Sequence, residues 1–283
     1  MTTMNDLTLR IAARYKSKKK VKTKDGDDMV VYEYSDKQIA NRNKAKAKKV
    51  EKLSKSIGEL RSKYRRDMKS SDPEKMLTAL VVALMDSTFE RVGNDGSADD
   101  GHFGVTGWQR QHMSFGRDSV TVKYVGKSGV KHTKKVTDSG IRNALRDAYE
   151  AVEEDDAGIF AWDGGSVTAD KVNEYLKPFD ITAKDIRGYH ANNSMAEELR
   201  AERKKGGKLP EDKKERTTQL KEEFKAALER TAEAVGHEAS TLKSQYLVPN
   251  METDYLMDGS VSDRFDKSAS MAGRVVLAYL KTL

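Results

Sequence analysis

The stretch Ser119-Val120-Thr121-Val122-Lys123-Tyr124-Val125-Gly126-Lys127-Ser128-Gly129-Val130-Lys131-His132-Thr133-Lys134-Lys135-Val136 reads as a β-hairpin. Val, Thr and Tyr, which suit a pleated surface, dominate residues 119–125. Gly126 to Gly129 supply a tight turn, and Val130 to Val136 return as a second strand. Most of the remaining chain has helical spacing. This hairpin therefore decides for an α+β fold, predominantly helical with a small antiparallel sheet, over an all-helical one.

Outward from the hairpin toward the N-terminus, Asp72 and Pro73 form an N-cap followed by a proline at the first helical position. Met76, Ala79, Leu80, Ala83 and Leu84 then mark a buried helix running to about Glu90, followed by a polar loop from Gly93 to Gly101. Upstream, Val50, Leu53, Ile57, Leu60 and Tyr64 recur at spacings of 3 and 4, an apolar stripe on a Lys- and Arg-rich helix over residues 36–69. Residues 15–34 predict another hairpin, with Asp25-Gly26-Asp27-Asp28 as its turn. Toward the C-terminus, helices are expected at 139–152, 168–177, 183–203 and 214–235. In the last, Leu220, Phe224, Ala227, Leu228 and Val235 share a side. Lys204 to Pro210 is a breaker cluster and a surface loop. The apolar pattern at Val275, Val276, Leu277, Tyr279 and Leu280 reads as packing.

The composition closes off several functions. The 283 residues contain no cysteine, which removes disulfides, thiolate zinc and thiol catalysis together. Five scattered histidines make a multi-histidine metal site a poor reading. No segment approaches the ~18 consecutive apolar residues of a membrane span. The start carries no apolar leader-like run, so the expectation is an intracellular protein associated with DNA and no membrane. Gly126-Lys127-Ser128 lacks the upstream glycine of a P-loop, and neither a Gly-x-Ser-x-Gly elbow nor a His-Glu-x-x-His motif occurs. Charge is strongly one-sided. Residues 1–71 hold 21 Lys and Arg against 9 Asp and Glu, a net +12, leaving −5 for the rest of a chain whose total is +7. A basic segment of this kind suits a polyanion, or else is a solvated helix face.

Against that background a scattered set stands out: Arg91 in Glu-Arg-Val-Gly-Asn, Lys127 in the hairpin turn, Arg187 in Lys-Asp-Ile-Arg-Gly-Tyr-His, His237 in Val-Gly-His-Glu, and Tyr246 in Leu-Lys-Ser-Gln-Tyr-Leu-Val-Pro. In order and flanking residues this set resembles the type IB DNA topoisomerases, a family with poxviral, bacterial and eukaryotic nuclear members. Gly104-Val105-Thr106-Gly107-Trp108-Gln109-Arg110-Gln111-His112 is similar to the family's segment ahead of the hairpin. Val167 to Leu176 is similar to its helix before the second arginine, and the nine-residue step from His237 to Tyr246 is of the poxviral kind. The resemblance covers roughly residues 36–250. It implies a catalytic domain over residues 36–283. Residues 1–35 depart from the family's longer β-rich N-terminal domain, and their charge and β-hairpin read as a basic N-terminal arm, either a reduced form of that domain or one that a partner completes.

The residue types suit the chemistry. Phosphodiester transfer gathers negative charge on the non-bridging oxygens, and preorganised cations aimed at them are the main source of rate. Arginine offers a planar fork to those oxygens, histidine a further hydrogen bond, tyrosine a nucleophile, and a lysine ammonium a proton for the departing sugar oxygen. By the resemblance, Tyr246 forms a 3′-phosphotyrosyl bond with one strand of duplex DNA. Arg91, Arg187 and His237 stabilise the transition state, and Lys127 protonates the 5′-oxygen. The covalent bond conserves the energy for resealing, so the resemblance implies that no cofactor is used, neither ATP nor a metal ion; the expected state is a monomer. Lys16, Lys18, Lys19, Lys20 and Lys22 of the arm, with Gln109, His112 and Lys131 nearer the hairpin, are the candidate DNA contacts.

Plainer readings stand beside these. Arg187 has Asp185 close by as an ion-pair partner, His237 follows Gly236 at a helix end, and Tyr255 is the nearest rival to Tyr246. A tyrosine recombinase shares the same arginine, lysine, histidine and tyrosine logic. Its usual His-x-x-Arg box is here Lys184-Asp185-Ile186-Arg187. A DNA-binding module without catalysis is the other alternative.

Overall fold

The computed structural model describes residues 17–22, 28–93 and 101–261. The centres of the first hairpin turn and of the Gly93–Gly101 loop, together with Lys16 and the apolar pattern at 275–280, lie outside them. The chain divides into two units, residues 1–48 and 49–283.

In the first unit, β1 (Ser17–Lys22) pairs antiparallel with β2 (Asp28–Glu33), with Lys18 opposite Tyr32 and Lys20 opposite Val30. Lys18, Lys20 and Lys22 share one face by the two-residue period of a strand. Lys19, on the other, pairs with Glu33 at 2.6 Å. Helix α1 (Asp36–Asp67) follows.

In the second unit, the apolar stripe of α1, from Val50 to Tyr64, is buried as its spacing predicts. Helix α2 (Pro73–Thr88) starts at the Asp72 cap, whose carboxylate accepts from the backbone N–H groups of Glu74 and Lys75. It is buried nearly all round. A three-stranded antiparallel sheet packs in the same core, in the order β3 (Met113–Phe115), β4 (Val120–Val125) and β5 (Lys131–Val136). The expected hairpin is therefore present, and β3 is an addition that three residues were too few to signal. Next come α3 (Ser139–Glu150), the small ribbon of β6 (Ala161–Trp162) and β7 (Gly165–Ser166), and α4 (Ala169–Leu176).

Helix α5 (Ala183–Lys205) outruns its expected end at 203 and carries Lys204 and Lys205, so the breaker loop begins only at Gly206. It joins two cores. Ala183, Ile186 and Tyr189 belong to the core of α1, α2 and the sheet. Ala191, Met195 and Leu199 belong to a second core with α6 (Lys213–Val235) and α8 (Met251–Asp258). A single-turn α7 (Ala239–Thr241) runs into a wide π-turn over Leu242–Tyr246. The π-turn and α8 were not foreseen. Asp86 of α2 ties the first core together. It accepts from Arg61 (2.8 Å), Tyr64 (2.9 Å) and His190 (2.8 Å). Burial would raise its pKa, but His190 and Arg61 outweigh that and hold the carboxyl well below the ordinary range.

Candidate active site

All five residues singled out as catalytic, Arg91, Lys127, Arg187, His237 and Tyr246, line one cavity of about 350 Å³ in the second unit, together with Lys184, Thr241 and Gln245. They arrive from separate parts of the chain, and each is delivered by an identifiable local device.

Arg91 follows α2. The helix ends on Phe89, which sits in the left-handed region at φ 62, unusual for a bulky residue and costing about 1–3 kcal/mol. The Phe89 side chain is buried and stacks on His190 at 4.2 Å, which offsets that cost. Past this bend, Glu90 is buried and Arg91 lines the cavity. The strand-like segment after it is gripped by a close backbone crossing. Val105 N–H donates to Arg91 C=O (2.9 Å) and Thr106 N–H to Val92 C=O (2.8 Å). A Cβ on Gly104 would lie 2.4 Å from Gly93 backbone atoms, so only glycine fits there.

Lys127 stands exposed in the turn between β4 and β5. Arg187 projects from α5 and is 2 % exposed. Its Nη2 donates to the Val235 carbonyl and reaches that of Gly236 (3.4 Å), capping the C-terminus of α6. Its Nε and Nη1 have no hydrogen-bond partner among the described residues. Nη1 stands 3.7 Å from Glu90, an ion pair with little directional bonding. The expected alternative of a pair with Asp185 does not occur. Asp185 instead accepts from Thr182 N–H (2.8 Å) in the capping box of α5. The buried guanidinium therefore keeps two donors that make no hydrogen bond among the described residues. Burial lowers its pKa, opposed mainly by Glu90, yet arginine stays charged at any ordinary pH.

Helix α6 ends at Gly236 (φ +72), and His237 N–H turns back to Ala232 C=O (2.8 Å). This sets the imidazole beside Arg91, whose Nη2 is 3.2 Å from Nδ1 and 3.5 Å from Nε2. Burial first, then the charges of Arg187 and Arg91, push the His237 pKa down to about 3. At neutral pH the ring is uncharged. A neutral ring accepting from Arg91 at Nδ1 keeps Nε2–H as a donor.

Tyr246 closes the π-turn, 8 % exposed, with its ring 4.7 Å from that of His237. Arg187 Cζ and Lys184 Nζ lie 5.9 and 5.8 Å from its ring centre. Asn192 of α5 holds the segment: its Nδ2 donates to Tyr246 C=O (2.9 Å) and its Oδ1 accepts from Val248 N–H (2.8 Å). The rival Tyr255 is buried elsewhere, donating to Glu223 (2.6 Å).

Sequence reasoning passed over Asn192 and Glu90, and took Lys184 only as the residue standing in place of the recombinase histidine, not as a site residue. An amide on a buried helix and a carboxylate before an arginine have no spacing signature. Lys184 had one, since it lies three residues before Arg187 on a helix, the spacing that shares a face. Of the candidate DNA contacts, Lys131 lines a neighbouring cavity of about 720 Å³ that shares Arg91, Lys127, His237 and Thr241 with the first. Gln109 and His112 line neither of these cavities. Gln109 N–H donates to His112 Nδ1 (3.0 Å) within their own turn, and the His112 ring meets Phe103 edge-on at 4.6 Å. Lys18, Lys19, Lys20 and Lys22 are exposed on β1 in the first unit. Among the described residues no cluster of three or more His, Cys, Asp or Glu side chains is arranged to hold a metal ion. No helix there is long and apolar enough to cross a membrane.

The geometry defines a cationic pocket gathered around a tyrosine. The sequence pattern described as eukaryotic DNA topoisomerase I, catalytic core, matches residues 35–255, and the chain belongs to that family. DNA topoisomerase I of monkeypox virus is 24% identical over 218 residues, 76% of this chain and 66% of the viral protein. DNA topoisomerase 1B of vaccinia virus (strain Copenhagen) is 23% identical over 218 residues with the same coverage. The chain thus spans about two thirds of the length of these relatives. A crystal structure of XerH site-specific recombinase bound to palindromic difH substrate, a post-cleavage complex, matches with a TM-score of 0.39 at 14% identity, over 66% of this chain and 47% of that one. That likeness is too slight to argue from.

Proposed function

We propose that this protein relaxes supercoiled duplex DNA by cutting one strand through Tyr246 and resealing it, using neither ATP nor a metal ion, and that it acts as a monomer. The observation that supports the proposal is the convergence of the five side chains on one cavity, where the buried Arg187 keeps two nitrogens without a hydrogen bond, one of them facing Glu90.

In the proposed reaction the scissile phosphate enters this cavity and Arg187 grips a non-bridging oxygen with Nε and Nη1. Arg91 and the neutral His237 donate to the other oxygen. The Tyr246 oxygen bonds phosphorus as its proton leaves to water, and the bond from phosphorus to the 5′-oxygen breaks. Lys127, on its exposed turn, gives that oxygen a proton and so makes it a competent leaving group. The product is a 3′-phosphotyrosyl bond and a free 5′-hydroxyl strand, which swivels about the intact strand. The reverse attack restores the phosphodiester and the phenol. Because the charged groups are already in place before the substrate arrives, little reorganisation remains for the chemical step. The exposed lysines of β1 are proposed to hold the duplex through its phosphates.

The test is plasmid relaxation in EDTA without nucleotide, with denaturant trapping of the covalent adduct. The expected result is removal of both positive and negative supercoils and a peptide adduct on Tyr246 at a 3′-end. Tyr246→Phe should abolish both. Relaxation by Tyr246→Phe at the parental rate would refute the nucleophile, and a strand-exchange product would point to recombination.

A further inference from the structure

His132 of β5 is not among the five, yet it touches the segments that carry three of them. Its ring lies flush against two glycines. A Cβ on Gly126, next to Lys127, would meet ring atoms Cδ2 and Nε2 at 2.7 Å, and a Cβ on Gly236, next to His237, would meet Cε1 at 2.7 Å. The ring also stacks on Tyr124 at 5.1 Å, nearly parallel at 8°. Its Nδ1 lies 3.1 Å from Oε1 of Glu90, the residue before Arg91. Glu90 is 2 % exposed and takes a second contact from Lys134 (2.8 Å), whose ammonium also donates to Ala234 C=O (3.1 Å) near the end of α6. Glu90 also faces Arg187 at 3.7 Å. Burial alone would raise the Glu90 pKa, but the His132 hydrogen bond and the charges of Lys134 and Arg187 hold it well below the usual carboxylate range, so it is an acceptor toward Nδ1–H.

We propose that His132, fixed by Glu90, is a positioning residue that sets the Lys127 turn at its working distance from the arginine–histidine pocket. The Lys127 ammonium itself is exposed at the end of a flexible stem, so its aim depends on the turn that carries it. That turn is closed by Gly126 N–H to Val130 C=O (2.7 Å), and His132 is the side chain wedged between it and the end of α6. A planar ring between two Cβ-less backbones is a spacer of fixed thickness. Removing it lets the turn drift, and a drift of about 1 Å costs a reacting group up to about 100-fold in rate. The inference rests on the proposed cleavage of DNA, with Lys127 as the acid.

Single-turnover cleavage of a suicide duplex, with DNA affinity measured in parallel, tests it on two substrates: an ordinary phosphodiester and a 5′-bridging phosphorothiolate, whose sulfur leaves without a proton. His132→Ala should cleave the ordinary bond roughly 10- to 100-fold more slowly at unchanged affinity, and recover to within about threefold of the parent on the phosphorothiolate. Gly126→Ala, which presses on the same ring from the turn side with nothing removed from the core, should show the same sulfur-rescued loss. It decides the matter should His132→Ala not fold. Parental rates in the variants, or an equal loss on both substrates, would overturn the inference while leaving the cleavage reaction standing. Absence of any Tyr246 adduct from the parent chain would overturn both.

Discussion

Replacing Arg187 by lysine separates charge from geometry at the most buried cation of the pocket. The variant keeps a positive charge beside Glu90, so the buried carboxylate is not stripped of a partner. The ammonium cannot at once cap the Val235 and Gly236 carbonyls, as Nη2 does, and replace Nε and Nη1, which the proposed reaction turns to the phosphate. The stability cost is that of a weakened cap, about 1 kcal/mol. The cost in rate is larger, because the lost donors act where charge develops. Removing one preorganised donor to an oxyanion costs about 2.7–4 kcal/mol, or roughly 10²- to 10³-fold. Arg187→Lys should therefore cleave and religate a suicide duplex about 10²- to 10³-fold more slowly, both directions falling together because they share one transition state. The thermal midpoint should drop by only a few degrees. Cleavage within about threefold of the parent, or a loss wholly explained by weaker DNA binding, would refute this account of the pocket.

Two further outcomes are expected. His237 has its pKa pushed from the ordinary 6.5 down to about 3, so between those values the unfolded chain binds the proton that the folded chain refuses. Stability should rise with pH across that window and be lost as pH falls through it. After discounting for the half-exposed ring the effect is about 2 kcal/mol. Urea unfolding at pH 4 and pH 7 should show a smaller gap for His237→Gln than for the parent, and an equal gap would count against the depressed pKa. Removing residues 1–35 should weaken DNA binding and flatten its salt dependence, by roughly three units of slope if Lys18, Lys20 and Lys22 each hold a phosphate. An unchanged slope would remove the basic-arm idea.

What the amino-acid order determined was local. The spacing of Val50, Leu53, Ile57, Leu60 and Tyr64 set the buried face of α1, and Asp72-Pro73 set the start of α2, because a helix turn and a cap involve only neighbours within a few residues. The glycine-bracketed turn at Lys127 was legible for the same reason. Tertiary structure decided what lay across long separations. Arg187 finds the end of α6 some 48 residues on in place of Asp185 beside it, since Asp185 is already spent on the Thr182 cap. Asn192 grips the π-turn that carries Tyr246, 54 residues away, and Glu90 meets His132 across 42. Helix α5 is buried on nearly all sides and so shows little polar and apolar alternation by which its inward face might be recognised. Periodicity reports which side of one element meets the interior. Which other element waits there depends on how several such faces pack at once, and only the folded chain holds that information.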